Sequence, residues 1–139
     1  MIVNTIKKIV DALLSPSDQH LQGMQNIIDE AHWEYGQGQF FEQLAIEHHQ
    51  AFQNNTTNAM LRDDQSIYDN RNAMWYYLRA ALRGDKEAQY KLGFCYLNGQ
   101  LGLDKSYTHA EEWLKEAAKQ GHHEAQMTLE KAYSQLAFS

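Results

Sequence analysis

The chain has 139 residues, 43% hydrophobic and 22% charged, with a formal net charge of −6. That length makes one domain and buries roughly two-thirds of its unfolded surface, so no disulfide or metal staple is needed. The acidic balance argues against a nucleic-acid partner and for a basic or neutral one. The single cysteine, Cys95, excludes an intrachain disulfide and fits a reducing compartment.

The opening stretch interrupts its apolar residues with Lys7, Lys8 and Asp11, so it offers no signal-peptide core. No apolar run reaches the ~18 residues of a membrane span, and the expected location is the cytoplasm. Ile2, Ile6, Ile9, Val10, Leu13 and Leu14 recur at helical spacing and predict a first helix over 2–14. Ser15 and Pro16 read as cap and first helical position of a second helix over 16–34. Leu21, Met24, Ile28, Ala31 and Tyr35 mark its apolar face, and Gly23 inside it costs about 1 kcal/mol relative to alanine. Gly36-Gln37-Gly38 is expected to end it. Phe40, Phe41, Leu44, Ala45, His48 and Phe52 then line a third helix over 39–53. Residues 54–68 read as an insertion, holding a short helix near Met60–Gln65 or a functional loop. Asp69 is the expected cap of a fourth helix over 70–83 that stops at Gly84. A fifth runs over 86–98 to Gly99, a sixth over 106–120 to Gly121, and a seventh over 122–137. No segment alternates with period two, so no sheet is expected.

The later helices repeat. Ala73-Met-Trp-Tyr-Tyr-Leu-Arg-Ala-Ala-Leu-Arg-Gly-Asp-Lys-Glu-Ala88 aligns without a gap on Ala110-Glu-Glu-Trp-Leu-Lys-Glu-Ala-Ala-Lys-Gln-Gly-His-His-Glu-Ala125, 37 residues on. Self-similarity at this period marks a helical repeat. Ala80-Ala81 and Ala117-Ala118 let backbones approach, while Trp75, Tyr76, Tyr77 and Trp113 are expected to fill the gaps between layers. The expected fold is all-α, a short solenoid of about seven stacked antiparallel helices in one domain over 1–139. Within it, 1–35 would be capping helices, 36–84 a degenerate first repeat with the insertion, 85–121 the clear repeat, and 122–139 a C-terminal half repeat or cap.

Ala88-x-x-x-Leu92-Gly93-x-x-Tyr96-x-x-Gly99, followed by Ala110-x-x-Trp113 and Ala117-Ala118-x-x-Gly121-x-x-x-Ala125, resembles the Sel-one-like repeat, a relative of the tetratricopeptide repeat. The resemblance covers residues 69–133; the turn between Gly99 and Ala110 is one residue longer than usual, and Ser106 stands where aspartate is common. Phe40-x-x-x-Leu44-Ala45-x-x-His48 reads as a worn first helix of an earlier copy. The resemblance implies a protein-binding adaptor scaffold, often bacterial, and not an enzyme; some small relatives act as immunity proteins that inhibit a cognate effector.

With Leu92, Gly93 and Tyr96 assigned to packing, Glu87, Tyr90, Phe94 and Leu97 are left to face an inner groove. Their equivalents are Glu124, Met127, Lys131 and Ser134. Tyr90, Phe94 and Met127 would form an apolar centre within a charged rim. The competing reading packs Tyr90 and Phe94 beneath the N-terminal helices. No cofactor or metal is implied: His48-His49 and His122-His123 are adjacent pairs, which diverge by about 100° on a helix. His122 and His123 are expected at an exposed helix start. Cys95, inside a repeat helix, reads as a buried structural residue rather than a nucleophile. Ile2, Ile6, Ile9 and Leu13 are expected to cover the end of the stack, with dimerisation through that face as an alternative. A small helical enzyme or metal protein using the histidines and Cys95 is the remaining alternative.

Overall fold

A computed structural model of the chain describes residues 2–54 and 64–137. It contains five α-helices among the described residues: α1 (Ile2–Asn54), α2 (Ser66–Leu82), α3 (Lys86–Asn98), α4 (Tyr107–Lys119) and α5 (His123–Ala137). The described residues contain no strand. Each helix packs chiefly on the helices before and after it in the chain, which is the arrangement of a short helical-repeat solenoid. α2 runs back along α1, so that Asp69 meets His48, Tyr77 meets Glu42 and Arg83 meets Glu30.

The three helices expected over 2–14, 16–34 and 39–53 are one helix. It continues through Pro16, although an interior proline costs about 3 kcal/mol. It also continues through Gly36-Gln37-Gly38, the expected stop. The reason is local packing. A Cβ at Gly38 would lie 2.5 Å from the Tyr77 ring, so the missing side chain serves a close crossing and not a turn. The apolar step of three and four residues is also unbroken: Ala31, Gly38 and Ala45 are buried on the face toward α2. Joining three helices reduces seven expected helices to five.

α2 begins at Ser66, earlier than Asp69 predicts, and Gln65 at its cap position makes no side-chain capping bond. Asp69 sits in the first turn, where its carboxylate is 2.6 Å from His48 Nδ1. The expected insertion falls mostly on residues 55–63, outside the described residues.

Two alanine-rich cores follow from the repeat. Ala73, Tyr77, Ala80, Ala81, Ala88 and Leu92 form the first. Ala110, Leu114, Ala117, Ala125 and Leu129 form the second. Tyr77 is fully buried, Tyr76 stacks on Phe41 at 5.6 Å, and Trp113 packs on the first core. Trp75 is instead 55% exposed. It is the one expected layer-filler that faces solvent. Ile2, Ile6 and Ile9 are also exposed, so they do not cover the end of the stack. That portion of α1 extends past the end of α2.

The repeat is also legible in the backbone. Asp85 N–H donates to Ala80 at 3.0 Å, and 37 residues later His122 N–H donates to Ala117 at 3.1 Å. Gly84 and Gly121 carry the positive φ that both turns require, +98° and +84°.

Candidate protein-interaction surface

The surface is built by α3 and α5, the first helices of successive pairs. Asp85 caps α3 by accepting a bond from Ala88 N–H at 2.8 Å. The same place before α5 is taken by His122, whose Nδ1 accepts from Ala125 N–H at 3.2 Å. That bond assigns the proton of the neutral ring to Nε2, which lies 3.0 Å from Glu87 Oε2. His122 is 5% exposed, so the expectation of an exposed helix start holds for His123 alone. The imidazole also stacks on Tyr90 at 4.5 Å between ring centres.

The expected groove residues fall into two groups. Glu87, Tyr90 and Glu124 gather around His122, with Glu124 Oε2 3.9 Å from Nε2. Phe94, Leu97 and Lys131 line a cleft of about 310 Å³ between α3 and α5, joined by Lys105 and Tyr107. Tyr90 and Phe94 are half-buried, with rings 6.1 Å apart, and Tyr90 and Leu97 pack on the second core. Tyr90 and Leu97 therefore pack on the C-terminal pair of helices, and Phe94 lies beside Tyr90 at the cleft. Met127 is 55% exposed and Ser134 is exposed, neither lining this cleft.

Polar side chains that sequence reasoning passed over fix the surface. Glu34 of α1 is fully buried, with Arg79 on one oxygen and Arg83 on the other, each at 2.8 Å. A buried carboxylate needs such partners. Glu42, two turns on, accepts from Tyr77 Oη and Lys91 Nζ at 2.6 Å each, tying α1 to both α2 and α3. Burial, then that bond to Glu42, raises the Tyr77 hydroxyl well above its ordinary range. The signal for both glutamates was present: they sit on the apolar step of α1 between Ala31, Gly38 and Ala45. At the far end Tyr133 of α5 donates to Glu111 of α4 at 2.9 Å, and Lys115 pairs with the same carboxylate.

Cys95 is fully buried, and desolvation pushes its thiol up to about 11, which makes it a poor nucleophile at neutral pH. Among the described residues no three His, Cys, Asp or Glu side chains come together as a metal-binding group. No described helix is long and apolar enough to cross a membrane.

This is a helical-repeat protein whose helix pairs share one backbone plan. Residues 63–85 and 86–122 match the Sel1 repeat model. Residues 63–122 thus carry two copies of the Sel1 repeat, the family their alanine and glycine register resembles. Sel1 repeats generally mediate protein–protein interaction and are typically non-enzymatic. No curated protein and no solved structure matches the chain.

Proposed function

We propose that the chain is an adaptor module that holds a segment of another protein across the cleft between α3 and α5. The observation that carries this reading is the cleft itself: Phe94 and Leu97 supply apolar surface beside Lys105 and Lys131. Glu87 and Glu124 stand at the opposite, N-terminal ends of the two helices. An extended segment is therefore oriented by charge, its acidic side chains toward the lysines and its basic ones toward the glutamates. The apolar contacts supply affinity and the charged ends supply direction.

The test compares two variants as bait against the native lysate. Phe94→Ser with Lys131→Glu alters the cleft, whereas Trp75→Ser alters exposed surface elsewhere. A partner held by the wild type and by Trp75→Ser, but lost by the cleft variant at unchanged melting temperature, supports the reading. Equal retention by the cleft variant sinks it.

A further inference from the structure

Among the described residues, no helix packs against the portion of α1 before Asp29. α2 ends beside it, where Arg83 reaches Glu30. Leu21, Met24 and Ile28 are nonetheless exposed apolar residues on the same three-and-four step that Ala31 and Gly38 continue into the core, and exposed Ile2, Ile6 and Ile9 repeat such a step nearer the start of the helix. A seam that buries α2 along one half of α1 thus gives way to apolar positions that are uncovered at residues 2–9 and 20–30. This arm also contains Pro16 and Gly23, both poor for a helix that stands alone. It needs a partner to stay helical.

We propose that the partner is the arm of a second copy, packed antiparallel. Three observations select that occupant. First, the stripe is self-complementary in reverse. Setting Ile9 against the second copy's Ile28 joins two exposed apolar positions and brings Ile6 level with its Ala31, where α2 ends, alternating the two kinds of seam position as antiparallel helices require. Second, the charges reverse along the arm. Lys7 and Lys8 lie near its start, Asp29 and Glu30 at its base, so antiparallel pairing brings opposite signs to the same level and parallel pairing brings like signs together. Third, the arm meets the body at a concavity of about 310 Å³ floored by Ile28 and Ala31 and bordered by the turn Arg83–Lys86. The second copy's first turns arrive there, and Ile6 enters it.

A membrane surface is a poorer occupant. Residues 2–30 hold four acidic and two basic side chains, the wrong balance for an anionic bilayer.

The test is the mass of the full chain in solution, by light scattering behind size exclusion at micromolar concentration. The expected mass is twice 16.1 kDa. Ile9→Lys alone is expected to halve the mass and lower the helix signal in circular dichroism while the body's melting transition persists. Adding Ile28→Glu to that variant is expected to restore the dimer, because the two changes meet only in this antiparallel register. A monomeric wild type overturns the proposal, whether or not it binds phosphatidylserine-containing vesicles. A dimer unaffected by Ile9→Lys, or not restored by the second change, overturns it too. The cleft variant Phe94→Ser with Lys131→Glu retains the dimer mass, so failure of the adaptor reading is read separately.

Discussion

α1 meets α2 much as α3 meets α4, and the differences between the two crossings are instructive. In the first, a Cβ on Gly38 would come 2.5 Å from the Tyr77 ring; in the second, a Cβ on Gly93 would come 2.6 Å from Leu114. Tyr77 and Leu114 are 37 residues apart, the period of the repeat. A buried acceptor precedes each glycine by four residues. In the first crossing it is Glu34, held by Arg83 at 2.8 Å; in the second it is Gln89, held by Gln120 at 2.8 Å. One geometry is therefore served by an ion pair in one layer and by an amide pair in the other. Backbone approach is the conserved quantity within this chain, and the polar link can be charged or neutral provided both partners are present.

The largest effect is expected from breaking the charged link. Glu34→Ala leaves Arg79 and Arg83, both partly exposed, without their shared buried carboxylate and should cost about 3 kcal/mol in urea unfolding, the low end for breaking a buried pair. The corresponding Gln89→Ala should cost about 1–3 kcal/mol. Equal losses would show that the charge is irrelevant to the link. Filling either crossing comes next: Gly38→Ala and Gly93→Ala should each lose about 1–3 kcal/mol, because a packed ring and a packed leucine must give way. A gain in stability at one of them would break the equivalence of the two layers. Converting the first layer to the second, with Glu34→Gln and Arg83→Gln together, should leave stability within about 1 kcal/mol of wild type. A loss as large as that of Glu34→Ala would mean that Arg79 depends on the carboxylate.

The smallest effect at neutral pH concerns Cys95. Its folded thiol holds its proton to about 11, above its ordinary value, whereas the unfolded thiol releases it earlier. The stability it contributes is thus complete below the unfolded value and lost as pH climbs toward about 11. Cys95→Ala should flatten this alkaline decline, and wild-type labelling by thiol reagents at neutral pH should wait on unfolding. Fast labelling of the folded chain would contradict the burial.

Much of this architecture was readable in advance because small residues recur in register. Alanine and glycine spacing announced α2 to α5 and their turns, and Ser106 caps α4 as an aspartate would. α1 was misread because a glycine is ambiguous in one dimension: Gly38 looks the same whether it ends a helix or admits a neighbouring ring. The worn first helix was likewise set on Leu44-Ala45, one heptad from the crossing glycine. Positions seven apart share a face, so periodicity could not choose between Gly38 and Ala45. Of the expected surface, Phe94, Leu97 and Lys131 converge on the cleft, whereas Met127 stands apart from it. The capping role of His122 was illegible because imidazole is uncommon at a helix start; its place 37 residues after Asp85 was the available clue.

Helices that touch chiefly their chain neighbours give a molecule that behaves as a zipper rather than a ball. α5 is fastened chiefly to α4, with Tyr90 and Leu97 of α3 at its edge, so it can peel away while the crossings of α1 to α4 stay closed. Hydrogen exchange should therefore be graded along the sequence, fastest in the final helix and slowest around Tyr77. A binding partner that grips α3 and α5 together would clamp the loosest tooth, and its arrival would register as slowed exchange there before anywhere else.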